Sequence, residues 1–192
     1  MVTTQATRQR VFLVNLVTAS RLVFAVPVAV LTLWSRDQTW AIIASTALVL
    51  AIEISDFADG RLARKHGAVS AWGKMFDPYV DSLSRLTVYW SLAVIGRCLA
   101  FVPLVMAMRD VTTGYARILL MRSGRDIGAR FTGKLKAVVQ GVCALALMAG
   151  PLAGQSLWGQ WAVHLKWGLS LAVIAVCLAS TIDYGRAALR RS

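Results

Sequence analysis

The sequence predicts an all-α membrane protein with six transmembrane helices, on three observations. Hydrophobic residues make up 57% of the 192, more than a soluble domain carries. Charged residues, only 16% of the chain, gather between apolar stretches instead of spreading over every turn. Six stretches reach the roughly 20 mostly apolar residues that a bilayer-spanning helix requires. They lie at about 11–34, 39–64, 74–96, 98–122, 132–152 and 160–186. The connections are short, with no internal repeat or low-complexity segment, so residues 1–192 read as one integral membrane domain.

The first stretch follows Arg8 and Arg10 and superficially resembles a secretory leader. Asn15 and Arg21 interrupt its apolar run and no small-residue cleavage site ends it, so it reads as the first transmembrane helix. Residues 1–10 are polar and are expected to lie along the cytosolic surface as a short separate segment. The second stretch ends in acidic and basic residues. Residues 65–73 form the turn to the third, which Gly73 opens and whose first turn suits Pro78, where a missing N–H costs least. The fourth carries Arg109, Asp110 and Arg117, and the last two are nearly uninterrupted.

Net charge is +12, from 21 Lys+Arg against 9 Asp+Glu. In a soluble chain that balance would raise nucleic acid as a partner. Here the bases flank apolar spans, so membrane topology accounts for them and no nucleic-acid partner is expected. With the N-terminus inside, only Arg36, Arg97 and Lys166 lie near the outer side. That asymmetry puts both termini in the cytosol, with the chain integral to the cell (inner) membrane. Trp34, Trp40, Trp158, Trp161 and Trp167 then collect at the outer interface, where amphipathic rings settle. Cys98, Cys143 and Cys177 show neither metal-ligand nor disulfide spacing and read as small buried hydrophobes.

Chemistry is concentrated between residues 56 and 81. Carboxylates at membrane depth are costly and mark functional sites. Asp56 and Asp59 are spaced i, i+3 and Asp77 and Asp81 i, i+4, so each pair shares one helix face. The two helices meet at the cytosolic turn, which brings all four aspartates to one depth. Oxygen-only ligands suit hard divalent cations, Mg²⁺ or Mn²⁺, and two such ions suit phosphoryl transfer. Gly60 allows close approach of a ligand. Ala63 keeps the next turn slim, and Arg64 offers a bidentate phosphate contact. Two other readings stand beside this one: an ion-pair network of the aspartates with Arg61, Arg64, Lys65 and Arg85, or a cation or proton transporter. Glu53, one turn deeper than Asp56, is expected to pair with a base of the first, fourth or fifth helix.

The run Asp56-x-x-Asp59-Gly60-x-x-Ala63-Arg64, eight residues, Gly73-x-x-x-Asp77-x-x-x-Asp81 resembles the complete signature of the CDP-alcohol phosphatidyltransferases. The helix count, cytosolic termini and length are also similar to that family's. The resemblance implies transfer of a phosphatidyl group from CDP-diacylglycerol, or a related CDP-linked donor, to an alcohol, with release of CMP. It implies a homodimer holding two divalent ions. Asp56, Asp59, Asp77 and Asp81 are then metal ligands, and Asp81 is also the general base on the acceptor hydroxyl. The donor-binding set it implies is Asn15, Thr18, Asp56, Asp59, Gly60, Ala63, Arg64, Ser70, Gly73 and Asp77. Of these, Asn15 and Thr18 share one helical face with Arg21, and the three resemble the family's P-N-x-x-T-x-x-R stretch, with Val14 in place of the proline.

For the acceptor, Arg109–Asp110 and the run from Gly133 to Gln140 resemble segments of the bacterial phosphatidylglycerophosphate synthases within the family. Arg109, Arg117, Lys134 and Lys136 then surround a phosphorylated acceptor such as sn-glycerol 3-phosphate. Ala137 stands where that branch has threonine, and Ser82 where it has lysine. Inositol phosphate or another alcohol is the alternative acceptor. Asp183, Tyr184 and Arg186 either border the acceptor cavity or cap the last helix.

Overall fold

The computed structural model describes residues 2–35, 37–66, 71–122 and 131–189; within them the side chains at 2–15, 17, 57–66, 71–75, 117, 119–122, 155 and 187–189 lie outside the description. The fold is all-helical, as the composition predicts. Among the described residues six α-helices follow one another: α1 (Val2–Trp34), α2 (Thr39–His66), α3 (Ala71–Val94), α4 (Phe101–Arg122), α5 (Phe131–Ala149) and α6 (Gln155–Leu189). A short 3-10 helix, Gly150–Ala153, joins the last two.

The helix ends depart from expectation in places, each for a local reason. The polar residues 1–10, expected as a separate surface segment, continue α1 from Val2, since the stretch holds no glycine or proline to break it. α3 begins at Ala71, so Pro78 lies inside the helix and not in its first turn. α5 gives way to the 3-10 turn at Gly150–Pro151, and Gly154 ends that turn at φ 95°. α6 therefore starts at Gln155, earlier than its apolar run suggests. At the end of α3, Gly96 takes φ 76°. The Arg97 amide reaches the Leu92 carbonyl at 2.8 Å and the Gly96 amide that of Ala93 at 3.0 Å. This is a Schellman cap, in which glycine's left-handed conformation satisfies the last carbonyls.

The chain divides into two compact units, Met1–Val88 and Tyr89–Ser192. In the first, α1 packs on α2, with Ala25, Val28, Ala41, Val49 and Ile52 buried beside the small polar residues Thr32 and Ser45. In the second, α4 and α5 both pack against α6 around Met106, Ala144, Leu147, Met148, Val173 and Cys177. Cys98, Cys143 and Cys177 are buried and unbridged, as expected.

Large apolar side chains face outward along most helices, among them Val23, Ile43, Leu50, Leu104, Val142, Leu171 and Leu178. Such faces belong in lipid, and the protein is a multi-pass membrane protein. Three segments among the described residues are long and apolar enough to cross a bilayer on composition alone: Thr39–Asp56, Phe131–Ala153 and Ser156–Arg186. α3 and α4 are interrupted by Asp77, Asp81 and Arg85 and by Arg109 and Asp110, and these charges are paired inside each unit, Asp77 with Arg21 of α1, Asp81 with Arg85 and Arg109 with Asp110.

Candidate active site

In the first unit the aspartates are organised by two arginines. Arg21 comes from the middle of α1 and is fully buried. An arginine in an apolar run has to find anions, and α2 and α3 supply them. Its Nη1 donates to Asp56 Oδ1 at 2.7 Å and its Nη2 to Asp77 Oδ1 at 2.5 Å. Asp81 Oδ1 lies 4.0 Å from Nη1. The planar fork of guanidinium suits such divided pairing, which a single ammonium cannot reproduce. Thr18, one helical turn before Arg21, is buried on the same side of α1.

Arg85, one turn beyond Asp81 on α3, is the second organiser. Its Nη2 donates to Glu53 Oε2 at 2.8 Å and to Asp56 Oδ2 at 3.0 Å. Its Nε lies 3.2 Å from Asp81 Oδ1. Among the described residues Glu53 therefore accepts a hydrogen bond from Arg85 of the third helix, where a base of the first, fourth or fifth was expected. It is one turn from Asp56 on α2, so the same face of α2 confronts Arg85 twice. The two aspartates spaced i, i+4 on α3 and Asp56 of α2 thus meet around shared guanidiniums, as their spacing leads one to expect. The ion pairs of the network reading are also present for Asp81 and Arg85.

Asp77 is the outermost of the three aspartates, its side chain 48% exposed against 28% for Asp56 and 22% for Asp81. The cluster thus runs from the buried Arg21 to an accessible carboxylate. Asp59, Gly60, Ala63, Arg64, Gly73 and Asn15 lie on helices, but their side chains are outside the described residues, as is Ser70 altogether. Among the described residues no three acidic, histidine or cysteine side chains are gathered closely enough to hold one ion by themselves. The donor set is nonetheless carboxylate oxygen only, the chemistry a hard divalent ion selects.

The second unit holds a separate polar cluster. Arg109 of α4 is buried. Its Nε and Nη2 donate to Ser180 Oγ of α6 at 3.2 and 2.7 Å, and its Nη1 to Asp110 at 2.7 Å. Its guanidinium carbon lies 5.7 Å from the Tyr184 ring centre, within cation–π range. Lys136 of α5, also buried, reaches the same Asp110 oxygen at 2.9 Å. Gly133 lies close to both side chains: a Cβ there would stand in ordinary van der Waals contact, 3.4 Å from Tyr184 Oη and 3.9 Å from Arg109 Nη2. Asp183 accepts a hydrogen bond from Thr132 at 2.7 Å. Arg109 and Lys136 are therefore brought together. Lys134 is exposed, two residues and about 200° of helix away from Lys136. The Arg117 side chain is outside the described residues.

Sequence reasoning missed the central place of Arg21 and the pairing of Glu53 with Arg85. The available signal was the cost of a lone arginine in an apolar run, which demands acidic partners elsewhere.

Comparison with known proteins places this chain in one class. The family model for CDP-alcohol phosphatidyltransferase matches residues 11–172, a run that passes through both units. The chain belongs to the CDP-alcohol phosphatidyltransferase family and is a transferase. It is 34% identical over 148 residues to the CDP-diacylglycerol–glycerol-3-phosphate 3-phosphatidyltransferase of Treponema pallidum (strain Nichols), covering 74% of this chain and 68% of the relative. It is 30% identical over 187 residues to a probable phosphatidylglycerophosphate synthase of Mycobacterium tuberculosis (strain CDC 1551 / Oshkosh), covering 93% and 82%. A Mycoplasma genitalium protein named as the first relative is 37% identical over 93 residues, 48% of this chain and 39% of that one.

Proposed function

We propose that this transferase moves a phosphatidyl group from CDP-diacylglycerol to sn-glycerol 3-phosphate and releases CMP. The observation that carries the reaction class is the full aspartate signature, with Asp56, Asp77 and Asp81 drawn from two helices onto Arg21. The acceptor is favoured by the names of the relatives and by a buried basic pair, Arg109 and Lys136, sharing Asp110.

Asp81 takes the proton from the acceptor hydroxyl, and that oxygen attacks the β-phosphorus of the donor as CMP departs. A general base is helped by a nearby fixed cation, and the Arg85 guanidinium, 3.2 Å from Asp81 Oδ1, attracts that carboxylate by charge. Asp56, Asp59, Asp77 and Asp81 are the ligands for Mg²⁺ or Mn²⁺, two ions that supply electrostatic stabilisation of the charge developing on phosphate oxygens. Asn15, Thr18, Gly60, Ala63, Arg64, Ser70 and Gly73 line the donor's nucleotide. Arg109, Arg117, Lys134 and Lys136 hold the acceptor's phosphate. The whole of 1–192 acts as one catalytic domain of six spans, a homodimer in the inner membrane, with both termini and the active site on the cytosolic side.

A second acceptor reading rests on two residues. Ala137 and Ser82 stand where glycerophosphate-type enzymes carry threonine and lysine, which favours inositol phosphate or an unphosphorylated alcohol. CMP release by the purified protein, with CDP-diacylglycerol and Mg²⁺ or Mn²⁺ across glycerol 3-phosphate, inositol phosphate, inositol and serine, decides between them. Stimulation by glycerol 3-phosphate alone is expected. Stimulation by another acceptor replaces the assignment, and metal-dependent ion flux without CMP release would make the protein a transporter.

A further inference from the structure

The Glu53–Arg85 pair lies behind the aspartates and is not part of the aspartate signature. Arg85 is 4% exposed and contacts three carboxylates on two helices, at 2.8, 3.0 and 3.2 Å. Two of these, Asp56 and Asp81, belong to the proposed chemistry. The buried guanidinium donates charge-assisted hydrogen bonds to Glu53 and Asp56 and attracts Asp81 by charge at short range. It also cancels the negative charge by which they would attract a divalent cation. Glu53 resolves that conflict. Its carboxylate shares Arg85 Nη2 with Asp56 and offsets part of the guanidinium charge, so that Arg85 holds the aspartates without fully neutralising them. Four carboxylates, Glu53, Asp56, Asp77 and Asp81, then face two guanidiniums, Arg21 and Arg85, leaving a formal excess of two negative charges among the described residues.

We infer that Glu53 and Arg85 are positioning residues: Arg85 orients Asp56 and Asp81, and Glu53 preserves the negative charge with which that cluster binds a divalent cation. The inference rests on the metal-dependent transfer proposed above. It makes a charge-specific forecast. Glu53→Gln reduces the excess by one, Arg85→Met raises it by one, and the double variant restores it.

The test is Mn²⁺ titration of the purified full-length protein in detergent, followed by electron paramagnetic resonance, together with kcat for CMP release and a thermal melt for each variant. Glu53→Gln should weaken Mn²⁺ binding by about tenfold, as expected for loss of one charge at short range in a medium of intermediate dielectric. Arg85→Met should bind Mn²⁺ at least as tightly as wild type yet turn over at least about tenfold more slowly, because Asp81 has lost its restraint. Glu53→Gln/Arg85→Met should recover Mn²⁺ affinity to within about threefold of wild type, which a merely structural pair cannot produce. Asp56→Asn serves as the control. If Asp56→Asn loses Mn²⁺ binding while Glu53→Gln does not, or if the double variant binds no better than Glu53→Gln, the positioning role is overturned alone. If neither Asp56→Asn nor Glu53→Gln alters Mn²⁺ binding, the metal site falls and takes this inference with it.

Discussion

Arg21 Nη2 lies 2.5 Å from Asp77 Oδ1, so the guanidinium of α1 is bonded to the first aspartate of α3 across 56 residues of sequence. The same side chain holds Asp56 of α2 at 2.7 Å. One cation therefore ties together three helices that the sequence connects only through turns. A buried charge of this kind is retained because removing it strands its partners, and not because the pairs themselves add much stability. Arg21 is a structural centre for the carboxylates as well as a neighbour of the proposed donor site.

Arg21→Met should destabilise the folded protein by about 1–3 kcal/mol. That is less than the roughly 3–5 kcal/mol of breaking a fully buried pair, because the Asp77 side chain is 48% exposed and water screens part of the loss. Arg21→Lys should recover part of the stability but little of the transfer activity, since one ammonium cannot hold Asp56 and Asp77 in the same geometry. Thermal unfolding in detergent and CMP release, measured side by side, separate the two effects.

Asp81→Asn should lower kcat by about 10²–10⁴, the range a positioned general base contributes. Amide replaces carboxylate without a change of shape, so binding of a CDP-linked donor should fall much less. Equilibrium binding of donor to the variant checks this, and turnover near the wild-type rate would remove Asp81 from the role of base.

The aspartate site was legible because it is written in local spacing. Steps of three and four residues place Asp77 and Asp81 on one helix face whatever the tertiary fold, and the turn between α2 and α3 brings Asp56 to them. Arg21 and Glu53 were not legible in that way. Their partners lie 35 and 56 residues away for Arg21 and 32 for Glu53, and helical periodicity says nothing about contacts between helices. Glu53 was expected to find a base on the first, fourth or fifth helix, whereas it pairs with Arg85 of the third, already visible as the i+4 neighbour of Asp81. The helix ends show the same division. The proline at 78 suggested a first turn, whereas α3 begins at Ala71 and carries it inside the helix. In the second unit, basic side chains could be nominated as acceptor ligands, but burial distinguishes Arg109 and Lys136 from the exposed Lys134.

Arg109→Ala should raise the apparent KM for the acceptor by about tenfold or more, with the KM for CDP-diacylglycerol little changed, as expected when a charge-assisted contact to phosphate is lost. Lys134→Ala should have a smaller effect, because Lys134 is exposed while Arg109 is held by Ser180, Asp110 and Tyr184. Steady-state kinetics with each substrate varied in turn make the comparison. A change confined to the donor KM would remove Arg109 from the acceptor site.

Gly150→Ala separates the fold from the chemistry. Gly150 opens the 3-10 turn between α5 and α6, and a Cβ there would overlap the ring of Trp158. A large aromatic side chain cannot yield as the tip of a lysine can, so either the ring or the turn has to move. Overpacking of this sort costs about 1–3 kcal/mol. Gly150 is not among the residues assigned to metal, donor or acceptor, so the protein that remains folded should keep its kcat and its KM values. A thermal melt and steady-state kinetics on the same preparation read the two quantities separately. A lowered melting temperature with unchanged kinetics is expected, whereas an altered acceptor KM would mean that the α5–α6 turn helps to set the position of the basic cluster.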